Sequence, residues 1–502
     1  AIQEVKMKLI ALLLFLGLLV HSDGLKFLCY SPRTATSHVN FLGKLSDSLI
    51  DAGHDVVILS SIFDSRLKSA GSDRARIIEI PADEIGLEFE RRMPSDLLDT
   101  WNSEETWRAL PSWQDKYDHW VANCNRIFHL AGINKFAVTE SVAYKDGMFD
   151  LTQVPNAPSY VPSIMGGSFG DEMTIAERAF NLFNMIMFSR HNHKPAVKYQ
   201  NMFERNFPGF PDVVDLMAAN SLFFLNSDPL VDFPRPSAAR MIDIGGIAVS
   251  NGYEKLNEEW SSILDLRPKT VFMSFGTFAK AFVMPEEYKE TIRATARALP
   301  DVTFIWKYEK PDHNVTHGIP NLLEATWVPQ NDLLRDPRLS AFVTHCGQGS
   351  TTEANYAGVP LVVVPVIFDQ VRNAFAVRKA RLGLNLHKSD LGRPGVLERA
   401  IREVLENPEY TRRAQTTAAM LNDKPFTARE VFVRNMEFLA KHGPLRQLDH
   451  YGRHLSFAQY YLIDVIGAVA IGVAMMAVVV GYVTLKLCGC LIEFCRGKRK
   501  EE

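Results

Sequence analysis

The chain has 502 residues, too many for one ordinary domain, and its 47 % hydrophobic content allows large cores throughout. Its 55 basic and 58 acidic residues nearly cancel, leaving a formal charge of −3, a balance that gives no support to a polyanionic partner such as nucleic acid.

The first residue is Ala1, and Met7 is the natural candidate for the initiator, which would put Ala1 to Lys6 upstream of the start. Lys6 and Lys8 flank Met7, an apolar stretch runs from Leu9 to Val20, and Val20-His21-Ser22 supplies small residues ahead of Asp23. Residues 1–22 therefore read as a signal peptide, too short to span a bilayer. Lys26 to Cys29 reads as a short buried strand, with a turn at Ser31-Pro32-Arg33-Thr34. A helix follows from about His38 to Ala52, with Val39, Leu42, Leu45, Leu49 and Ile50 on one face. Gly53 ends it, His54 reads as a surface turn residue, and Val56 to Leu59 is the next strand. This is a βαβ opening, the entry to a parallel sheet.

Phe203 to Phe210 and Phe223-Phe224-Leu225 are rich in aromatics and read as core packing ahead of an acceptor pocket. Glycine and polar residues between Gly245-Gly246 and Gly252 mark a boundary between two halves. A second α/β opening follows: strand Thr270 to Ser274, Gly276 in the turn, helix Pro285 to Leu299, and strand Thr303 to Trp306. Strands Ala341 to Thr344 and Leu361 to Val364 each lead into a helix. The expected architecture is α/β, with two doubly wound Rossmann-like domains facing each other and ligands at the strand C-termini. An Ig-like receptor ectodomain is disfavoured by this βα alternation.

Val465 to Leu485 holds no charged residue. At ~1.5 Å per residue a helix of that run reaches ~30 Å, the thickness of a hydrocarbon core. Tyr460 and Tyr461 sit at one border, and Lys486, Arg496, Lys498, Arg499 and Lys500 follow the other. That asymmetry places the tail, residues 486–502, in the cytosol and the bulk of the chain in the lumen, as a single-pass type I protein. The end Lys498-Arg499-Lys500-Glu501-Glu502 resembles the two-lysine retrieval signal of endoplasmic reticulum proteins. Six cysteines show neither a disulfide framework nor metal-ligand spacing; Cys488, Cys490 and Cys495 are candidates for palmitoylation. Asn314-Val315-Thr316 is a glycosylation sequon.

The most informative run is Phe342-Val343-Thr344-His345-Cys346-Gly347-Gln348-Gly349-Ser350-Thr351-Thr352-Glu353, continuing through Pro360, Pro365 and Asp369-Gln370. A buried strand delivers a glycine-containing loop to a helix N-terminus, where backbone N–H groups and the dipole favour an anion. Glu353, one turn into the helix, can accept from a ribose diol, and Asp369 with Gln370 follows the next strand toward the same rim.

This run resembles the signature of the UDP-glycosyltransferase family, in its animal membrane-bound form that includes glucuronosyltransferases and glucosyltransferases. The resemblance implies the GT-B fold, with an acceptor-binding domain at 23–245, a UDP-sugar-binding domain at 246–450, a transmembrane helix at 465–485 and a role in detoxification. It further implies that Trp327 stacks on uracil and Gln330 contacts the ribose or base. His345, Gly347, Gly349 and Ser350 face the diphosphate, Glu353 the ribose, and Asp369 and Gln370 the sugar. Ser274-Phe275-Gly276-Thr277 matches the family's other phosphate-facing loop through Ser274, Gly276 and Thr277. His38 occupies the place of the catalytic base, at a helix N-terminus that disfavours the imidazolium.

Two departures stand out. Many family members carry Asn where this chain has Gly349. The Asp that orients the base should come from a strand between Cys124 and the helix-like segment beginning at Asn125, yet those pieces abut, and a segment is missing near 124–128. Asp146 and Asp150 do not qualify as substitutes. The expected reaction is inverting and metal-independent transfer of glucose, glucuronate or a similar sugar to hydroxyls of small lipophilic acceptors, with the UDP-sugar as co-substrate, no cofactor and no metal site. The alternative is a catalytically impaired UDP-sugar-binding relative that regulates active members, and self-association or pairing with family members is expected of either.

Overall fold

The computed structural model describes residues 24–81, 135–143, 157–164, 167–206, 208–211, 222–249 and 255–498, with isolated positions between them. Residues 1–22, the junction at 124–128, Asp146 and Asp150 lie outside the described residues. The chain divides into two compact units, Ala1–Leu448 and Asp449–Glu502.

In the first unit β1 (Lys26–Tyr30), α1 (Thr36–Asp51), β2 (Asp55–Ser61) and β3 (Arg76–Ile80) build a three-stranded parallel sheet in the order β1-β2-β3. The helix starts earlier than its apolar pattern predicts, because Ala35 already holds the extended N-cap geometry; His38 therefore sits inside the first turn. β4 (Ala137–Glu140), β5 (Leu222–Leu225) and β6 (Met241–Asp243) form a second parallel sheet, with the long helix α2 (Ile175–Asn206) between β4 and β5 in sequence. Phe223, Phe224 and Leu225 are fully buried in β5, so this aromatic cluster is core.

His54 is not the surface residue expected. Its Nδ1 accepts from the Leu25 backbone N–H at 3.3 Å, its Nε2 meets Glu437 at 3.1 Å, and Phe27 packs on the ring at 5.3 Å. The turn from α1 into β2 has to satisfy its polar groups locally, and this imidazole does so on both edges.

After α3 (Glu258–Leu264) a six-stranded parallel sheet is assembled in the order β12-β11-β10-β7-β8-β9. Its elements run β7 (Lys269–Ser274), α4 (Glu286–Ala298), β8 (Val302–Lys307), β9 (Leu322–Ala325), α5 (Gln330–Arg335), β10 (Leu339–Thr344), α6 (Gln348–Ala357), β11 (Leu361–Val363), α7 (Asp369–Lys379) and β12 (Gly383–Asn385). Apolar side chains alternate between two cores: Val271, Met273, Phe304, Trp306 and Val343 enter one, and Phe272, Ile305 and Phe342 the other. Helices cover both faces, which is why these strands read as unbroken apolar runs. Phe272 and Phe342 stack across neighbouring strands at 4.8 Å.

The order reverses between β7 and β10. Their last residues, Ser274 and Thr344, are register partners, and the chain leaves them in opposite directions. That reversal opens the crevice where sheets of this kind take ligands.

Three helices close the unit: α8 (Val396–Glu406), α9 (Pro408–Asn422) and α10 (Ala428–His442). α10 starts with a capping box of Thr427 and Glu430 and sends Phe432, Val433 and Leu439 into one core with Phe41, Leu45 and Leu49 of α1 and Phe224 of β5. The two α/β halves also meet along polar contacts. Tyr356 Oη donates to the Gly245 carbonyl at 3.0 Å, Lys424 pairs with Asp228 at 2.6 Å, and Arg372 pairs with Asp232 at 2.7 Å.

The second unit contains α11 (Ile463–Lys498). Within it Ile463–Ile492 has a mean hydropathy of 2.5 and no buried residue, so the apolar span is longer than the charge-free run 465–485 suggests. Length and composition fit a membrane-spanning helix.

Candidate active site

The loops leaving β7 and β10 interlock around one imidazole. A Cβ on Gly276 would lie 2.5 Å from His345 Nε2, and a Cβ on Gly347 also 2.5 Å from it. The ring thus occupies the space two side chains would fill, and glycine is required at both positions. Gly276 additionally holds φ +84°, a conformation other residues rarely adopt. Ser274, buried at the end of β7, accepts on its Oγ from the Gly276 N–H at 3.4 Å. Lys307, from the end of β8, donates to the Gly276 carbonyl at 3.1 Å. Burial first, and the Lys307 ammonium second, push the His345 imidazole down to about 4, against a hydrogen bond at Ser274. His345 is neutral at physiological pH. Its one N–H is engaged by the Ser274 backbone, so the ring shapes the loop and brings no charge.

Gly347 caps α6 with extended backbone and no side-chain hydrogen bond, and the first helical bond runs from Thr351 N–H to the Gly347 carbonyl. The N–H groups of Gln348, Gly349 and Ser350 therefore precede the helical ladder, and the dipole adds to their attraction for an anion. Cys346, between the imidazole and the cap, is buried with its thiol pushed up to about 12, chiefly by burial. It is an inert packing group.

Gln330, the first residue of α5, donates to Glu353 at 2.6 Å and to Ser350 Oγ at 3.1 Å, so three of the sequence-expected residues form one polar cluster. Burial raises the Glu353 carboxyl above its ordinary range, against its bond to Gln330. Trp327 is 73 % exposed, beside the buried Val328. Thr277 is half-buried in the loop after β7.

Beyond β11 the chain turns at Phe368 (φ +53°) into α7. Asp369 accepts from Asn373 Nδ2 at 3.0 Å, and burial drives its carboxyl up to about 6. Gln370 is buried, and its Oε1 already accepts from the Val366 and Ile367 N–H groups at 2.9 and 3.0 Å. Its carbonyl oxygen shapes the loop.

On the opposite half, His38 Nδ1 is hydrogen-bonded to the hydroxyl of Ser141. Ser141 directly follows Glu140, the buried last residue of β4. Neither was singled out in the sequence. The Asp expected to orient the base was sought in a strand before residue 125, a stretch outside the described residues; among the described residues the group beside His38 is the Ser141 hydroxyl. The strand β4 had a signal in Phe136-Ala137-Val138-Thr139-Glu140, a short β-forming run, but the contact of Ser141 with His38 had none.

The fold compares with two solved structures, the glycotransferase of kitacinnamycin (TM-score 0.51, 17 % identity, 84 % of this chain and 99 % of that one) and LpCGTa in complex with UDP (TM-score 0.52, 16 % identity, 84 % and 100 %). Both likenesses are of fold, and the fold is GT-B. The sequence model for UDP-glucoronosyl and UDP-glucosyl transferase matches residues 127–502. The chain belongs to the UDP-glycosyltransferase family.

Among relatives of this UDP-glycosyltransferase, the Caenorhabditis elegans protein bearing the name UDP-glucuronosyltransferase ugt-47 is 28 % identical over 497 residues, spanning 91 % of this chain and 92 % of that protein. Human UDP-glucuronosyltransferase 1A5 is 28 % identical over 355 residues, 70 % of this chain and 64 % of the human one. Family membership makes the protein an enzyme that transfers sugar from a UDP-sugar. The crevice between β7 and β10 is where its sequence motifs converge.

Proposed function

We propose that this UDP-glycosyltransferase moves glucose, glucuronate or a related hexose onto a hydroxyl of a small lipophilic acceptor, with inversion and without a metal ion. The reading rests on one observation: the neutral His345 ring clamped between Gly276 and Gly347, beside the uncapped N-terminus of α6. The N–H groups at the start of α6 converge there, with the Lys307 ammonium behind the Gly276 carbonyl, which suits a diphosphate that must first bind and then leave.

In this reading Trp327 stacks on uracil, and the Gln330–Glu353 pair opens to hold the ribose. Ser274, Gly276, Thr277, His345, Gly347, Gly349 and Ser350 surround the diphosphate. Asp369 and the Gln370 amide hold sugar hydroxyls. His38, its Nδ1 tied to Ser141, takes the acceptor hydroxyl proton on Nε2. The acceptor oxygen then bonds to the anomeric carbon from the face opposite UDP. The bond to the β-phosphate oxygen breaks, and its electron pair departs with UDP. Ser141 beside His38 favours an active enzyme over a regulatory subunit. An endoplasmic reticulum location, with the two α/β domains luminal and α11 in the membrane, fits acceptors that partition into lipid.

Calorimetry with UDP on the full chain in detergent tests the donor site, and UDP release with a glycosylated acceptor in the presence of a chelator tests the reaction. Absence of UDP uptake by folded protein would sink the proposal.

Two finer outcomes follow from the site. A Cβ at Gly349 meets no heavy atom within 4 Å, so Gly349→Asn should fold normally and add a donor near the phosphate. UDP-sugar affinity should rise roughly threefold to tenfold, the worth of one net hydrogen bond; an unchanged calorimetric Kd removes Gly349 from the binding surface. The Asp369 carboxyl, raised to about 6, must be ionised to accept two sugar hydroxyls. UDP-sugar should therefore bind more tightly than UDP above pH 6, and the advantage should shrink as pH falls through 6. For fold stability the sign is opposite: a raised carboxyl disfavours the native state as pH climbs from the ordinary carboxylate range through 6. A pH-independent ratio of the two affinities would take Asp369 out of sugar recognition.

A further inference from the structure

Asn226, at the exit of β5, is bonded on both sides of the crevice. Its backbone N–H donates to the Glu140 carbonyl at 3.0 Å, and its side-chain Nδ2 donates to the Ser141 carbonyl at 2.9 Å. Its own carbonyl accepts from Gln348 Nε2 at 2.7 Å. Gln348 is the first residue of α6, and the Ser141 hydroxyl holds His38. One residue thus joins the helix that begins at the proposed diphosphate site to the segment that holds the proposed base. The Ser141 carbonyl can only accept, so it fixes the amide with Nδ2 toward it and turns Oδ1 away. Oδ1 is buried and, among the described residues, has no partner, although Asn226 is only 4 % exposed. A buried acceptor left unmatched is rare in a residue kept for packing alone.

We infer that Asn226 is a positioning residue for the transfer reaction: it fixes Ser141, and through it His38, and it ties that arrangement to the N-terminus of α6. The inference rests on the proposed donor site and base. Occupation of the crevice pulls on the α6 N-terminus, and Gln348 passes the displacement to the Asn226 carbonyl. The Asn226 amide, bonded to Ser141, passes it to the imidazole. An empty donor site and a filled one therefore present different His38 geometries to the acceptor.

The test uses the full chain in detergent, with Asn226→Ala, Asn226→Leu (an apolar residue of similar size), Ser141→Ala, Gln348→Ala and the Asn226→Ala/Ser141→Ala pair. The single changes at Asn226 and Ser141 should each lower kcat roughly tenfold while KM for the UDP-sugar stays within twofold. The pair should fall no further than the worse single variant, because both act through one contact. In nitrogen-labelled protein, UDP should move the His38 imidazole signals, assigned with His38→Gln. Asn226→Leu and Gln348→Ala should abolish that movement while still binding UDP. Multiplied losses near a hundredfold in the pair, or a His38 response that survives in Asn226→Leu and Gln348→Ala, overturn the coupling while leaving the donor site standing. Lack of UDP uptake by the unaltered chain overturns the donor site and the coupling together.

Discussion

Replacing Asp232 with alanine is expected to destabilise the unit Ala1–Leu448 by about 3–5 kcal/mol, the cost of leaving a buried charge without its partner. The Asp232 side chain is 7 % exposed and lies between two guanidiniums, Arg372 Nη1 at 2.7 Å and Arg235 Nη1 at 3.6 Å. Arg372 is 3 % exposed; its Nε also donates to the Pro162 carbonyl, and its guanidinium lies over Phe233. Burial alone would raise the Asp232 carboxyl, but Arg372 and then Arg235 more than offset it and hold it below the ordinary range. The sign of the pH dependence follows. The stabilisation is fully present above the ordinary carboxylate pKa and is lost as pH falls through the depressed native value. Urea denaturation at pH 7 and pH 3 reads both effects. A midpoint within error of the unaltered chain at pH 7 would show that the pair carries no stability.

The second large effect belongs to His38. His38→Ala should reduce kcat by about 10²–10⁴, the range for loss of a positioned general base, with UDP affinity unchanged. His38→Gln, which keeps a polar side chain but cannot take the proton, should be equally slow. Retention of more than a tenth of the rate in both variants would move the base elsewhere, with the buried Glu140 as the group to examine next. Equal losses in UDP binding and turnover would instead mark His38 as structural.

The donor half was legible because its strands are buried on both faces. Val271 to Ser274 and Phe342 to Thr344 are continuous apolar runs ending in small polar residues, and such runs announce their own ends. The loop after β10 was legible as a glycine-containing turn into a helix, but only the structure shows that Gly276 and Gly347 also make room for the His345 ring. The other half was less readable for local reasons. β4 has only four residues, and the residue after it, Ser141, meets His38 across 103 positions of sequence. Nothing in the short run near Glu140 names its partner. The Asp232–Arg372 pair hides in the same way, because a buried ion pair leaves no period in the sequence. His54 misled for the opposite reason: a histidine after a glycine looks like a surface turn until Glu437, supplied by α10 from the far end of the unit, is placed against it.

The meeting of Gly246 with Tyr356 has a mechanical outcome. A methyl group on Gly246 would sit 2.1 Å from the tyrosine oxygen, and the residue holds φ +97°. The seam has no slack. Gly246→Ala would act as a wedge at the point where Tyr356 grips the Gly245 carbonyl, and faster amide exchange along Ser227, Asp228 and Gly245 is its expected signature. Slow exchange there would mean that the tyrosine swings aside and that the joint is softer than its spacing suggests.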